Sequence, residues 1–189
     1  MDAAILYLHG FRSSPAAEKS QLLAATLNAR GQGERFFCPA LSPVPEQAIA
    51  QAEVIIATYS GPLTIVGSSL GGFYATWLAE KYALRAALIN PAVVAPLALE
   101  SYIGEQTNLY TGERFVFTNE HIDQLRALEV PRIHPERYLL LVETGDEVLD
   151  YRDAVARYAG CRQEILPGGD HSFTRFAAWL PQLLEFCGL

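Results

Sequence analysis

The chain has 189 residues, of which half are apolar and 19% are charged, as in an ordinary globular domain with a substantial core. Its net charge of −7 and its lack of a Lys/Arg cluster argue against a nucleic-acid or anionic-membrane partner. The apolar run 3–8 is too short for a signal-peptide core or a membrane span, so we expect a cytoplasmic protein. The cysteines Cys38, Cys161 and Cys187 lack metal-ligand spacing and cannot all pair, so we expect reduced thiols and no metal site.

Short apolar runs alternate with helical patterns along the chain. The runs predict strands at 3–8, 35–38, 63–66, 85–89, 138–143 and 162–166. Helices are predicted at about 15–31, 46–59, 70–81, 150–158 and from 172 toward the C-terminus. Ser14 is the expected N-cap of the first helix, and Pro181 should kink or split the last one. This alternation is typical of a mostly parallel sheet with helices on both faces.

Residues 91–135 interrupt the alternation with several prolines and one short helical pattern, at about 120–128. In a parallel sheet such an insertion lies over the carboxyl ends of the strands, where ligands bind. We therefore predict a cap or lid at about 91–135 within a single domain that covers residues 1–189. The aromatic residues of the insertion form either an acyl-binding wall or its own small core; they are Tyr102, Tyr110, Phe115 and Phe117.

The sequence Gly67-Ser68-Ser69-Leu70-Gly71 lies between an apolar strand and an apolar-periodic helix. This is the setting of a G-x-S-x-G elbow, in which a strained turn exposes the central serine hydroxyl at the start of a helix. Gly67 and Gly71 lack the Cβ atoms that would clash where the strand and the helix cross. The pattern predicts Ser69 as a nucleophile, although the same residues also suit a tight turn without chemistry.

Other polar residues follow other predicted strands, and the carboxyl ends of parallel strands meet at one edge of a sheet. Asp146 follows the fifth strand and His171 the sixth, so the chain order is nucleophile, acid, base. His171 would take the Ser69 proton, while Asp146 would hold the imidazole tautomer and offset the imidazolium charge. The backbone N–H groups of Leu70 and Phe11 would form an oxyanion hole.

The acid assignment has competitors in the sequence. Asp150 is the main alternative to Asp146, and the further candidates are Glu143, Glu147 and Asp170. Asp150 suits the N-cap of the next helix, which is an ordinary role for an acidic residue. Asp170 is poorly placed to reach the imidazole of its own neighbour in sequence.

The other histidines also need an interpretation. His9 competes with His171 as the base, but we predict that His9 and Gly10 support the oxyanion loop, His9 through hydrogen bonds. His171 itself could be a loop residue that caps the last helix. His121 and His134 lie in or beside the insertion and are expected to be solvated or to cap helices.

Several segments together resemble one family. They are HGFRSSP (9–15), IVGSSLGGFYATWLA (65–79), INPAV (89–93), YTGERF (110–115), TGDEVLDYR (144–152) and GGDHSF (168–173). These segments are similar to the small bacterial YqiA-type esterases of the α/β-hydrolase superfamily, and the match extends over nearly the whole chain. The resemblance implies a three-layer α/β-hydrolase fold that lacks the superfamily's first two strands. It also implies a triad of Ser69, Asp146 and His171 that needs no cofactor, with small acyl esters, short-chain ones foremost, and acyl-CoA thioesters as substrates.

Two other functions stay open at this point. The same fold and residues can cleave C–C or amide bonds, because the shape of the pocket decides the substrate. The fold can also serve as a catalytically silent ligand-binding module, although such a relative would be expected to have lost a triad member. The sequence predicts neither an oligomeric state nor an acyl chain length.

Overall fold

The computed structural model describes residues 2–189. This range contains eight strands: β1 (Ala4–Leu8), β2 (Phe36–Phe37), β3 (Leu63–Ser68), β4 (Arg85–Ile89), β5 (Gly104–Thr107), β6 (Arg114–Phe117), β7 (Tyr138–Glu143) and β8 (Arg162–Leu166). Six of them form a parallel sheet in the order β2-β1-β3-β4-β7-β8, and β5 pairs with β6 in an antiparallel hairpin. The predicted parallel sheet of six strands is confirmed.

The same range contains seven α-helices: α1 (Glu18–Ala29), α2 (Pro45–Thr58), α3 (Leu70–Tyr82), α4 (Ala95–Leu99), α5 (Asn119–Ala127), α6 (Tyr151–Arg157) and α7 (Phe176–Cys187). The core residues of α2, α3, α5 and α6 pack on one face of the sheet, and those of α1 and α7 pack on the other. The sheet therefore lies between two helical layers, as predicted. Among these helices none is long and apolar enough to cross a bilayer.

The central strands are buried on both faces because successive side chains point into two different cores. In β1, Ala4, Leu6 and Leu8 pack on one side, whereas Ile5 and Tyr7 pack on the other. This arrangement explains why the strand is a continuous apolar run in the sequence instead of an alternation of apolar and polar residues.

The register of the sheet brings several loops to one edge. Leu8 pairs with Gly67 and Ser68 pairs with Ile89, so β1, β3 and β4 end at nearly the same level. β7 continues slightly further, to Glu143. The loops that follow β1, β3, β4 and β7 therefore leave from the same edge, which is where ligands bind in parallel sheets.

The insertion at 91–135 has more regular structure than the sequence predicts. The short helix is present as α5, but α4 and the β5–β6 hairpin were not predicted. In β6, Phe115 and Phe117 point inward while Arg114 and Val116 are exposed, and the turn before them uses Gly112 at a φ of 74°. This period-two alternation beside a glycine turn is the signal that would have identified the hairpin.

Two predicted helix starts are wrong. α1 begins at Glu18 instead of Pro15, because the Ser14 hydroxyl accepts the Ala16 N–H at 3.1 Å in a separate turn. α7 begins at Phe176, after a series of turns at 171–175, so the predicted start at 172 is also wrong. The helix continues through Pro181 without being split, although the proline removes one backbone donor beyond the first turn.

Candidate active site

Ser69 lies in a strained turn between β3 and α3. Its φ of 54° and ψ of −122° are rarely adopted by an L-residue, and its N–H donates to the Ile89 carbonyl at 3.0 Å. A Cβ on Gly67 would collide with the Gly71 backbone, and a Cβ on Gly71 would collide with the Leu8 carbonyl. The two glycines therefore allow strand, turn and helix to approach closely enough to present the Ser69 hydroxyl at the edge of the sheet.

The Ser69 hydroxyl begins a continuous line of three hydrogen-bonded side chains. Ser69 Oγ lies 3.0 Å from His171 Nε2, and His171 Nδ1 lies 2.8 Å from Asp146 Oδ2 and 3.0 Å from Oδ1. Because a carboxylate only accepts hydrogen bonds, it fixes the imidazole proton on Nδ1 and leaves Nε2 to accept from the Ser69 hydroxyl. The fold thus brings together three side chains that are far apart in the sequence.

The Asp146 carboxylate is held in place by its own turn. Only 2% of the side chain is exposed, and Oδ1 accepts the N–H groups of Val148 and Leu149, both at 2.9 Å. A Cβ on Gly145 would lie 2.5 Å from the Gly169 carbonyl oxygen, so this turn packs closely against the loop that carries the imidazole. The orientation of the carboxylate is therefore set before any ligand binds.

The competing acids have other partners. Asp150 accepts a backbone N–H at 3.0 Å as the N-cap of α6. Asp170 accepts the hydroxyl of Thr174 at 2.9 Å, and Glu147 accepts the backbone N–H of His171, also at 2.9 Å. None of these three described carboxylates forms a hydrogen bond or an ion pair with the imidazole ring.

Two buried residues anchor the His171 loop (residues 167–175), a role that is not predicted from the sequence. Glu143, with 0% exposure, accepts from Arg175 Nε at 2.6 Å and from the Asp170 N–H at 2.8 Å. Asn90 donates through Nδ2 to the carbonyls of Asp170 and His171 at 3.0 and 3.2 Å, and its Oδ1 accepts the Glu143 N–H at 2.9 Å. A polar residue that directly ends an apolar strand is the sequence signal for such an anchor.

The β1 loop (residues 9–13) lies directly against Ser69. A Cβ on Gly10 would lie 3.2 Å from Ser69 Cβ and 3.6 Å from Oγ. Within residues 2–189, the backbone N–H groups of Phe11 and Leu70 donate to no protein acceptor. Both donors therefore stay available for a ligand oxygen beside the serine.

The His9 side chain holds the β1 loop in place through two hydrogen bonds. Its Nε2 accepts the Leu41 N–H at 3.0 Å, so the ring proton is on Nδ1 and donates to the Gly10 carbonyl at 3.1 Å. Burial lowers the pKa of His9, which favours this neutral form. The bond from Leu41 connects the β1 loop to the segment that precedes α2, and the bond to Gly10 lies within the loop.

A cleft of about 400 Å³ opens beside Ser69 and His171. Its lining is mostly apolar and comes from both the sheet edge and the insertion, and it includes Phe11, Leu70, Leu99, Tyr102, Leu109 and Leu149. Phe115 and Phe117 pack edge-on against Phe11, with ring centroids at 5.9 and 5.0 Å. The aromatic residues of the insertion therefore divide between a cleft wall and a core. Tyr102 lines the cleft, and Phe117, with 1% exposure, belongs to a core.

The remaining histidines have local partners. His121 Nδ1 accepts the Thr118 N–H at 3.0 Å and caps α5. Of the two predicted roles, solvated side chain or helix cap, His121 therefore has the second. His134 Nδ1 lies 2.6 Å from a carboxylate oxygen of Glu80. Across residues 2–189, no group of three or more His, Cys, Asp and Glu side chains is arranged to hold a metal ion.

Comparison with solved structures shows the fold. Alpha/beta hydrolase domain-containing protein 10 from mouse is 15% identical, with a TM-score of 0.74 over 98% of this chain and 92% of its own. A Paleococcus ferrophilus monoacylglycerol lipase is 14% identical, with a TM-score of 0.68 over 99% of this chain and 96% of its own. The protein Est1E from Butyrivibrio proteoclasticus is 18% identical, with a TM-score of 0.66 over 98% of this chain and 88% of its own.

At the level of sequence, a family model described as an uncharacterised protein family, UPF0227, matches residues 4–188. This match includes the elbow, the insertion and the His171 loop. It confirms the resemblance to the YqiA-type proteins. Because the model matches nearly the whole chain, this protein belongs to the UPF0227 (YqiA) family, and its fold is that of the α/β hydrolases.

Proposed function

We propose that this protein is a serine hydrolase that cleaves small carboxylic esters through an acyl-enzyme. Ser69 is the nucleophile, His171 is the general base, and Asp146 orients the base. The observation that carries the proposal is the unbroken hydrogen-bonded line from Ser69 Oγ through His171 to Asp146, which opens onto a cleft. An isolated serine hydroxyl is too weakly acidic to attack an ester, and this line supplies the missing base.

In the first half-reaction, His171 Nε2 accepts the hydroxyl proton while Ser69 Oγ attacks the ester carbonyl carbon. The free N–H groups of Phe11 and Leu70 donate to the oxygen that becomes an anion. Asp146 stabilises the imidazolium that forms. The imidazolium then donates its proton to the leaving alcohol, and the tetrahedral intermediate collapses to the acyl-enzyme.

In the second half-reaction, water takes the place of the alcohol. His171 removes a proton from the water, which attacks the acyl carbonyl, and the same two N–H groups stabilise the second oxyanion. Collapse of this intermediate returns the proton to Ser69 Oγ and releases the acid. No step needs a metal or an organic cofactor, so the chain's own residues suffice.

The apolar cleft of about 400 Å³ favours short acyl groups, because a pocket of this size encloses a small ligand. Thioesters follow the same steps with a thiol as the leaving group, so acyl-CoA thioesters form a second substrate class. A monoacylglycerol lipase is among the proteins with this fold, which is consistent with ester cleavage. The geometry gives no preference between esters and C–C or amide substrates, and a substrate panel separates them.

A fluorophosphonate probe tests the nucleophile directly. We expect labelling of the wild-type protein, located on the peptide that contains Ser69 by mass spectrometry, and none of Ser69→Ala. Ser68→Ala is the matched control, since it removes the neighbouring hydroxyl of the same elbow and should retain labelling. Folded wild-type protein that is not labelled would instead indicate a silent binding module.

Turnover tests the base and the substrate class. Ser69→Ala and His171→Ala are expected to lower kcat for a p-nitrophenyl ester by about 10⁴-fold, because each removes a group that acts in the transition state. Esters of increasing chain length, acyl-CoA thioesters and matched amides are then compared by kcat/KM. A higher kcat/KM for amides than for esters would contradict the assignment as an esterase.

A further inference from the structure

One permanently charged side chain lines the cleft beside Ser69. Among the described residues around that cavity, Arg12 is the single member that carries a fixed charge, and the other members are mostly apolar. Arg12 also adopts a left-handed backbone conformation, with a φ of 57°. A non-glycine residue in this region costs about 1–2 kcal/mol of strain, so the surrounding contacts hold the arginine there.

The tip of the β5–β6 hairpin supplies those contacts. Arg12 Nε donates to the Thr107 carbonyl at 3.0 Å, and the Arg12 carbonyl accepts the Leu109 N–H at 2.8 Å. Next to them, Asn108 Nδ2 donates to the Ser13 carbonyl at 2.7 Å. The three hydrogen bonds fix the β1 loop to the hairpin, and the one from Nε sets the direction of the guanidinium.

The same contacts leave the guanidinium available to a ligand. Only Nε is used, so the four N–H bonds of the two terminal nitrogens have no acceptor within residues 2–189. No described carboxylate lies within 4.0 Å of Arg12, although the chain has 21 acidic and 14 basic residues. A positive charge without a partner, on the wall of an apolar cleft in an acidic protein, favours an anionic ligand.

We propose that Arg12 binds an anionic group of the substrate and makes the enzyme selective for esters or thioesters that carry a carboxylate or a phosphate. This inference rests on the serine-hydrolase function proposed above. The planar guanidinium matches both anions with two parallel hydrogen bonds. The anion has two chemical sources: a carboxylate at the far end of the acyl group, or phosphates on the leaving group, as in coenzyme A.

The experiment compares charged and uncharged substrates in pairs. On the acyl side, the pair is the p-nitrophenyl monoester of glutaric acid and p-nitrophenyl pentanoate. On the leaving-group side, the pair is acetyl-CoA and S-acetyl-N-acetylcysteamine. For each pair, the selectivity ratio is kcat/KM for the anionic substrate divided by kcat/KM for the neutral one, measured for wild type, Arg12→Gln and Arg12→Lys.

We expect Arg12→Gln to lower one selectivity ratio by about 10- to 100-fold, which is the usual contribution of hydrogen bonds to a charged group. Arg12→Lys should give an intermediate ratio, because it retains the charge and loses the planar pair of donors. The substrate pair whose ratio falls identifies the source of the anion. Increasing ionic strength should reduce the same ratio in wild type and have less effect in Arg12→Gln.

Asn108→Ser is the matched control for the hairpin contacts. A serine retains a hydroxyl acceptor for the turn amides and loses the long donor to the Ser13 carbonyl, while the Arg12 charge stays. We expect it to affect both members of a pair by the same factor, so the ratios do not change. Ratios in Arg12→Gln equal to wild type in both pairs would overturn the inference and leave Arg12 as a hairpin anchor.

Failure of this inference is distinct from failure of the proposed function. Turnover of the neutral esters by wild type reports on the proposed triad and not on Arg12, so its absence counts against the hydrolase. In that case, calorimetry still decides whether Arg12 binds an anion. The binding of coenzyme A and of methyl glutarate is measured for wild type and for Arg12→Gln. Weaker binding of either anion to the variant supports the inference, and equal binding of both refutes it.

Discussion

Asn90 offers a sharp test of how the His171 loop is positioned, because its side chain forms hydrogen bonds with the loop backbone and none with Ser69 or the imidazole ring. The change Asn90→Gly removes three hydrogen bonds: two from Nδ2 to the carbonyls of Asp170 and His171, and one from the Glu143 N–H to Oδ1. Glycine is the suitable replacement because Asn90 has a φ of 40°, which glycine adopts without strain.

The expected size of the effect follows from these contacts. At about 1 kcal/mol per hydrogen bond, three bonds at a position with 3% exposure contribute about 3 kcal/mol to the free energy of unfolding. Activity should fall as well, because a displacement of about 1 Å in a catalytic group costs roughly 100-fold in rate. The decrease should appear in kcat and not in KM, since Asn90 does not line the cleft.

Urea denaturation and p-nitrophenyl ester kinetics measure the two effects on the same protein sample. Asn90→Ala is the companion variant: it loses the same bonds but, unlike the glycine variant, keeps a Cβ in left-handed backbone, so it should be about 1 kcal/mol less stable than Asn90→Gly. An Asn90→Gly protein with wild-type kcat and a loss of unfolding free energy under about 0.5 kcal/mol would refute the reasoning, because the anchor would then contribute nothing.

Three further predictions concern other parts of the molecule. Gly10→Ala should lower kcat about tenfold with little change in Tm, because the new Cβ would lie 3.2 Å from Ser69 Cβ. A wild-type kcat in this variant would contradict the proposed close approach of the β1 loop to Ser69. Burial lowers the pKa of His9, so in mildly acidic solution the unfolded chain binds a proton that the native chain does not. The free energy of unfolding should therefore fall as pH decreases below about 6.5, and it should fall less steeply in His9→Gln. Urea titrations of both proteins at pH 5 and pH 7.5 measure this difference. Burial raises the pKa of Cys38 and Cys187 to about 12 and also raises that of Cys161, so DTNB at pH 8 should react much more slowly with the native than with the urea-unfolded protein.

The main sheet could be predicted from the sequence because its strands are defined locally. Arg85–Ile89 and Tyr138–Glu143 are found at their predicted bounds, since each contains a continuous apolar run, 86–89 and 138–142, that is buried on both faces. The β5–β6 hairpin is different. It is held against the β1 loop, which is about 95 residues away in the sequence, by contacts such as those of Arg12 with Thr107 and of Asn108 with Ser13. Such contacts leave only a weak alternation in the sequence itself.

The candidate site divides in the same way. Ser69, Asp146 and His171 each follow a predicted strand, so the rule that parallel strands end at one edge is sufficient to predict their proximity. Asn90 also follows a strand, but its partners are the backbone carbonyls of a loop whose path no local pattern specifies. Candidate reactive side chains can be recognised from their residue type and their order along the chain. Side chains that hold a loop in place can be recognised only when the path of that loop is known.

Glu143 and Asp146 show how one turn gives different positions to two carboxylates that are close in the sequence. They are three positions apart and almost equally buried, at 0% and 2% exposure, so strand proximity and burial favour neither. The difference arises at Gly145, where the turn packs so closely on Gly169 that a side chain would not fit. Before this turn, Glu143 still lies in β7, and its carboxylate accepts hydrogen bonds from Asp170 and Arg175 of the His171 loop. After it, Asp146 has changed direction and faces the imidazole, so the geometry of one glycine turn separates an anchoring carboxylate from the one hydrogen-bonded to the imidazole.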